Sequence, residues 1–233
     1  MDEAVRINKY LSEAGYCSRR QADKLLEEGR ITIDGKIADM GQKVMPGQVV
    51  CADGRKLTKE EEKILIAFNK PRGIVCTSGK YKDNIIDYVN YPKRIYPVGR
   101  LDKDSSGLIF LTNQGELVNK ILKASNYHEK EYIVTVNKDL TKEFLDGMRQ
   151  GVPILDTVTR KCTVKAFSKR TFSIILTQGL NRQIRRMCEY FDYRVRELKR
   201  VRIMNVRLGD LEEGKYRELT EKEMSELQRG LKG

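Results

Sequence analysis

"VGRLDKDSSGLIFLTNQGE", residues 98–116, sets Asp102, Asp104, Ser105, Ser106 and Gly107 directly before an apolar run, Leu108 to Leu111. Asp, Ser and Gly ahead of a strand commonly satisfy loop amides, so Asp104, Ser105 and Gly107 read as the turn that positions that strand. Asp102 differs. It lies between Gly99-Arg100 and the run, where a strand would hold its carboxylate at the mouth of a sheet beside low-dielectric surface. A carboxylate there needs a cationic partner, because an unpaired buried charge is strongly unfavourable. Arg100 is two residues away, and "NRQIRR", residues 181–186, supplies Arg182, Arg185 and Arg186. A guanidinium within reach would keep Asp102 ionised and fit to act as nucleophile or base. A metal at the Asp102/Asp104 pair is the weaker reading, since hard cations take several oxygen ligands and Ser105 and Ser106 are poor ones.

Working outward, the 233 residues suit a small module plus a medium domain. The balance of 45 Lys and Arg against 33 Asp and Glu, a net charge of +12, favours a polyanionic partner. Membrane surface is the competing polyanion, but no basic amphipathic helix with an aromatic face stands out, so nucleic acid leads. Residues 1–56 hold ten basic and nine acidic side chains, which leaves nearly all the excess charge in the remainder and hints at two units. The five cysteines are scattered without ligand spacing and read as reduced, mostly buried thiols. With His128 as the one histidine, chemistry needing paired His bases or a His-rich metal shell is disfavoured, and His128 itself reads as structural. The start of the chain has no basic-then-apolar leader, and apolar runs such as Ile64 to Phe68 cover only a few residues, so a soluble cytoplasmic protein is expected.

In the first unit, Ile7, Tyr10, Leu11 and Ala14 recur at helical spacing before Gly15. Ser18 and Gln21 stand in capping-box positions for a second helix ending at Gly29. Asp34-Gly35 signals a hairpin and Pro46-Gly47 a turn. Residues 53–62 have the charged composition of a linker. Beyond it we read a strand at "ILIAF", a turn at "NKPRG", a strand at "IVCT", a basic loop over 78–83 and a short helix near "NIIDYV". After the opening stretch come a helix over 116–124, a strand "EYIVTV", a helix "KEFLDGMRQG" and strands "RKCTVKAF" and "TFSIILT". A helix "RQIRRMCEYF", a basic strand "RVRIMNVRL" and a terminal helix from Thr220 complete the chain. Strands and helices do not alternate regularly, which predicts an α+β fold with a mixed, mainly antiparallel sheet.

Residues 5–52 resemble the S4 RNA-binding module, an αL-type fold, through the "SRRQADKLLEEGRI" second helix and the hairpin after it. The resemblance implies RNA binding by Arg6, Lys9, Ser18, Arg19, Arg20, Lys24 and Arg30. Arg19 and Arg20 also stand at a helix start, where the dipole favours phosphate. "GRLDKDSSGLIFLTNQG" is similar to the catalytic motif of pseudouridine synthases, in the RsuA-like branch that couples an S4 module to its catalytic domain. "NKPRGIVCT" resembles that family's lysine-proline motif, "EKEYIVTV" its tyrosine motif and "QGLNRQIRRM" its late arginine motif, in order. "HEKEYIVTV", "GVPILDTVTRKC" and "QGLNRQIRRMCEYF" are especially like the branch's large-subunit (23S) ribosomal RNA synthases.

The resemblance implies an S4 domain over 1–52, a linker over 53–62 and a catalytic domain over 63–233. It further implies isomerisation of uridine to pseudouridine in 23S ribosomal RNA, without cofactor or metal, by an essential aspartate acting on a flipped base. By carry-over Asp102 is that aspartate, Tyr132 packs on the base, and Arg185 pairs with the aspartate. Arg100 would fill the space left by the nucleotide, Lys70 and Pro71 would shape the site, and Ile184 would line the uracil pocket beside Arg182 and Arg186. Flipping costs a few kcal/mol, and stacking on an aromatic ring returns roughly 1–3 kcal/mol, so a second contributor such as Arg100 is physically reasonable. A related branch carries a histidine where this chain has Arg182. Residues 179–207 carry nine basic and three acidic side chains, and this segment is expected along the RNA backbone. An RNA-binding factor with an S4 module and no catalysis is the main rival, and it predicts decay of an Asp, Tyr and Arg set that is present here. An S4-linked methyltransferase would need a G-x-G-x-x-G loop, which does not occur. A monomer is expected. The target uridine, the route of the aspartate's attack and transfer RNA as a further substrate are left open.

Overall fold

A computed structural model of the chain describes residues 4–58, 62–77 and 82–231. Of the expected segments, 59–61 of the linker and 78–81 of the basic loop lie outside the described residues, as do the ends, 1–3 and 232–233. The described chain forms two compact units. One holds the residues up to Ile64 with Tyr91–Ile95 and Asn113–Gly115, and the other holds Leu65–Asn90, Tyr96–Thr112 and the chain from Glu116 onward.

The first unit runs β1 (Val5–Arg6), α1 (Ile7–Glu13), α2 (Arg19–Glu27), β2 (Ile31–Ile33), β3 (Lys36–Ile37), β4 (Lys43–Val44), β5 (Val50–Ala52) and β6 (Arg55–Lys56). α2 starts as the sequence predicts: the Ser18 hydroxyl accepts from the Gln21 amide at 3.2 Å, and the Gln21 carboxamide accepts from the Ser18 amide at 3.0 Å. Asp34 and Gly35 both take left-handed backbone, φ 50° and 79°, the conformation that closes a two-residue hairpin between β2 and β3. Ile7, Leu11, Ala22, Leu26, Ile31 and Val50 pack into one buried cluster. The linker expected from residue 53 is corrected. Asp53-Gly54 is a second left-handed turn, and β6 folds back on β5 in the four-stranded order β3-β2-β5-β6. A charged composition suits an exposed edge strand as well as a linker, and here the edge strand is what forms.

The second unit contains β7 (Leu65–Lys70), α3 (Ile85–Val89), β8 (Tyr96–Pro97), β9 (Ser106–Thr112), α4 (Gly115–Leu122), β10 (Lys130–Val136), α5 (Lys142–Gln150), β11 (Pro153–Ile154) and β12 (Thr157–Val158). It continues with β13 (Thr163–Ala166), β14 (Thr171–Leu176), α6 (Gln183–Tyr190), β15 (Val195–Ile203), β16 (Val206–Arg207), β17 (Tyr216–Glu218) and α7 (Glu221–Gly230). Seven strands pair in the order β13-β14-β10-β15-β9-β7-β17, with β16 added to β15 and β8 to β9. The β15–β9 pair is parallel and the other described pairs in this sheet are antiparallel, so the fold is the expected mixed α+β. Two buried clusters sandwich it: Val134, Phe144, Phe172 and Met187 pack with α5 and α6, while Leu108, Phe110, Ile121, Val206 and Leu227 pack with α4 and α7.

Three local expectations are corrected. "IVCT" is not a strand; Val75 makes one isolated bridge to Asn84, and its amide and carbonyl are satisfied by Asp83 and Ile85. Gly107 belongs to β9 itself and not to the turn before it. "RVRIMNVRL" is not one strand, since β15 begins at Val195 and ends in a turn at Met204, φ 50°, before β16. The β11–β12 hairpin and the short β17 carry no alternation long enough to read.

β15 has an irregular register on β10. Glu131 pairs with Arg202 and Tyr132 with Arg200, so Val201 is an extra residue. Without that bulge, strand alternation would turn Arg200 and Arg202 to one face; with it, Arg200 shares the face of Tyr132 and Arg202 that of Glu131.

Candidate active site

Asp102 sits in the turn that leads into β9, where the Ser105 amide donates to the Asp102 carbonyl at 3.0 Å. This turn is fastened from two directions. From the end of β7, the fully buried Lys70 donates its ammonium to the carbonyls of Pro71 at 2.7 Å and Ser105 at 2.8 Å. Burial pushes the Lys70 pKa down, with Cys76 and then Asp104 and Asp102 acting against that shift. From the first turn of α6 comes Arg185, 8% exposed. One terminal nitrogen of Arg185 reaches an Asp104 carboxylate oxygen at 3.1 Å, the Ser105 hydroxyl at 3.1 Å and the Asp104 carbonyl at 3.3 Å. Its Nε stands 3.6 Å from Asp102 Oδ2 and has no closer hydrogen-bond acceptor. Arg182, in left-handed backbone at the N-cap of α6, lies 3.4 Å from Asp102 and 3.7 Å from Asp104. Both carboxylates are therefore held by the same two guanidiniums. Only Arg185 is withdrawn from water, so its pairs are the ones least weakened by solvent screening.

The Asp102 side chain, 32% exposed, opens into a cleft of about 590 Å³. The structure brings Arg100, Asp102, Tyr132, Arg182, Ile184 and Arg185 together in its lining, six residues assigned to the site from the sequence. It does not bring Lys70 and Pro71 to the cleft surface; Lys70 acts from beneath as a staple. Arg186 also lies outside the lining and turns back to the Asn181 carbonyl at 3.1 Å. His128 is buried with Nδ1 3.1 Å from the Ile121 carbonyl, a structural arrangement.

Four lining cations, Lys103, Lys123, Lys130 and Arg200, escaped the sequence reading, and two of them sit beside Tyr132. Lys130 precedes Tyr132 by two residues on β10 and therefore shares its face, a signal that strand period alone could have given. Burial, and secondarily the Arg200 guanidinium, push its pKa down to about 8. Arg200 pairs with Tyr132 just as Leu198 pairs with Val134, so it reaches the same face in regular alternation, and the bulge at Val201 turns Arg202 to the other face. Arg185, Arg200 and Arg202 are turned to partners inside the protein, so within residues 179–207 the exposed cations are Arg182, Arg194, Arg196, Lys199 and Arg207.

In the first unit, Arg6, Arg19, Arg20 and Lys24 are exposed as expected of RNA-facing groups. Ser18 is engaged in its helix cap, and Lys9 lies 3.4 Å from Glu13. Arg30 makes a two-pronged pair with Asp53, both contacts at 2.7 Å, and reaches Glu28 at 3.0 Å. Its guanidinium is thus committed inside the unit. Among the described residues no group of three or more His, Cys, Asp and Glu side chains could hold a metal ion, and no helix is long and apolar enough to cross a membrane.

A carboxylate paired with a buried arginine at the mouth of a cleft, with a tyrosine on the adjoining sheet face and a separate module that exposes Arg19 and Arg20 at a helix start, fits an RNA-modifying enzyme. The chain belongs to the RNA pseudouridylate synthase family, whose model matches residues 64–190, and it carries an S4 domain at residues 5–50. It is 56% identical over 229 residues to the dual-specificity RNA pseudouridine synthase RluF of Escherichia coli (strain K12), covering 97% of this chain and 79% of that one. It is 36% identical to the ribosomal large subunit pseudouridine synthase B of Bacillus subtilis (strain 168), covering 95% of each. A crystal structure of a pseudouridylate synthase matches with a TM-score of 0.72 at 28% identity, over 96% of this chain and 99% of that one.

Proposed function

We propose that this chain isomerises uridine to pseudouridine in large-subunit (23S) ribosomal RNA, with Asp102 as the essential carboxylate and the target base flipped into the cleft. The observation that carries the reading is the buried Arg185, which aligns Asp102 at the cleft mouth while fastening its turn through Asp104 and Ser105. The reaction breaks the N1–C1′ bond, turns the base and forms C5–C1′, and a proton lost from C5 is matched by one gained at N1. No external reactant is consumed, so the protein's task is to extract, hold and turn a base. Tyr132, half-buried in the lining, offers the stacking face, and the exposed Arg100 stands where it can take the place vacated by the nucleotide. Stacking worth roughly 1–3 kcal/mol offsets much of the cost of extraction. Arg6, Arg19, Arg20 and Lys24 of the S4 domain bind RNA backbone, and the protein works as a monomer in the cytoplasm.

The test is to incubate the purified protein with transcribed 23S RNA and map pseudouridines at nucleotide resolution. One or a few converted positions are expected; no conversion in any transcript, native ribosomal particles included, would refute the proposal.

A further inference from the structure

Lys130 and Arg200 both line the cleft on the face of Tyr132, two cations with no counter-charge of their own among the described residues. Lys130 donates one N–H to the His128 carbonyl at 3.1 Å, and Arg200 gives its Nε to the Leu108 carbonyl at 2.6 Å. Of the two terminal nitrogens of Arg200, Nη2 is buried and has no hydrogen-bond partner, in a residue that is only 4% exposed. The carboxylates that flank Lys130 in sequence are unavailable, because Glu129 and Glu131 both point to Arg202, at 3.0 and 2.9 Å. Neither Lys130 nor Arg200 has a carboxylate within ion-pair distance among the described residues. Two like charges brought together away from water without an anion are unfavourable for folding, so the arrangement is explained by something that arrives in the cleft. The Arg200 guanidinium lies 5.9 Å from the centroid of the Tyr132 ring, beside the surface on which a base would stack.

We propose that Lys130 and Arg200 are catalytic residues that receive the carbonyl oxygens of the uracil and stabilise the negative charge it acquires when the N1–C1′ bond breaks. When that bond breaks, its electron pair goes to the base and is shared with the carbonyl oxygens; N–H groups aimed there are worth most at that moment. The charge is returned when C5 bonds to C1′, so the pair ends the cycle unchanged. Holding a detached base by its oxygens also lets it turn without leaving. This rests on the function proposed above and adds to it the group that carries the base through its rotation.

The test measures single-turnover conversion at saturating RNA for wild type, Lys130→Met and Lys130→Arg, with RNA affinity measured in parallel. Lys130→Met is expected to slow conversion about 100-fold or more while RNA affinity changes less than about threefold, and Lys130→Arg to recover most of the rate. Because the Lys130 ammonium loses its proton above about pH 8, the wild-type rate should fall beyond that pH while the Lys130→Arg rate stays level. The other charged groups lining the cleft are Arg100, Asp102, Lys103, Lys123, Arg182 and Arg185, with Arg200 directly beside Lys130 and the Tyr132 phenol on the same face. All are retained in both variants, which isolates the Lys130 contribution. A Lys130→Met rate equal to wild type overturns the inference alone. A loss that Lys130→Arg does not restore and that tracks lost RNA affinity or thermal stability also overturns it. Wild-type protein that converts no uridine refutes the function itself.

Discussion

Gly107 lies so close to the backbone of Arg200 that a β-carbon there would stand 2.2 Å from the Arg200 carbonyl oxygen and 2.6 Å from its amide nitrogen. These residues are register partners in the parallel β9–β15 pair, which joins the Asp102 turn to the strand carrying Arg200. Gly107 also has φ 102°, a conformation L side chains rarely adopt. Gly107→Ala should therefore separate the two strands and cost roughly 2–4 kcal/mol of stability. A shift in denaturant midpoint at unchanged m-value checks this; an alanine variant of wild-type stability would contradict the packing described.

Arg185 contacts Asp102, Asp104 and Ser105 with one planar fork, a geometry an ammonium cannot reproduce. Arg185→Lys should lower the conversion rate about 100-fold while the fold is retained. The two carboxylates should separate in the same assay. Asp104→Asn keeps the hydrogen bond to Arg185 in part and is expected to cost less than about tenfold, whereas Asp102→Asn abolishes conversion.

Lys70 has its ammonium wholly buried, so the folded chain gives up that proton at lower pH than the unfolded chain, whose lysine titrates near 10.5. Between the lowered folded value and 10.5 the unfolded state binds more protons, and stability gains with rising pH over that window. Lys70→Met removes this dependence and strands the Pro71 and Ser105 carbonyls, costing about 2–4 kcal/mol. The stability gap between wild type and variant should widen as pH climbs toward 10.5. A constant gap across that range would mean that burial does not loosen the lysine's hold on its proton.

Much of this architecture is legible in the residues, and where it is not the reason is specific. Ser18 with Gln21, and Thr220, announce their helices because capping chemistry is local, and they cap as read; Asn84 caps α3 in the same way, a cap the sequence reading did not name. Leu65 to Lys70 and Ser106 to Thr112 are wholly buried strands, visible as apolar runs because both faces are covered. β6 and the β15–β16 turn were misread because a charged edge strand and a left-handed Met204 leave no pattern in a single sequence. Asp102, Tyr132 and Arg185 come together in the cleft as the family motifs imply. Arg200 was missed because what sets it beside Tyr132 is the pairing of β15 with β10, a tertiary feature that a single sequence does not show.

The S4 cations divide into exposed and committed groups. Replacing Arg19 and Arg20 together by Gln should weaken RNA binding about tenfold or more and lower the salt dependence by about two phosphate contacts. Arg30→Gln should leave RNA affinity near wild type and act on the stability of the first unit, since its guanidinium is held by Asp53 and Glu28. Salt titrations of binding for both variants check this; a larger effect from Arg30→Gln would reverse the assignment.

The most direct test is pseudouridine mapping in 23S RNA treated with wild-type or Asp102→Ala protein, with RNA affinity measured on the same preparations. The expected result is conversion by the wild type, none by Asp102→Ala, and affinities within about threefold of each other. Conversion by Asp102→Ala at the wild-type rate would contradict the account.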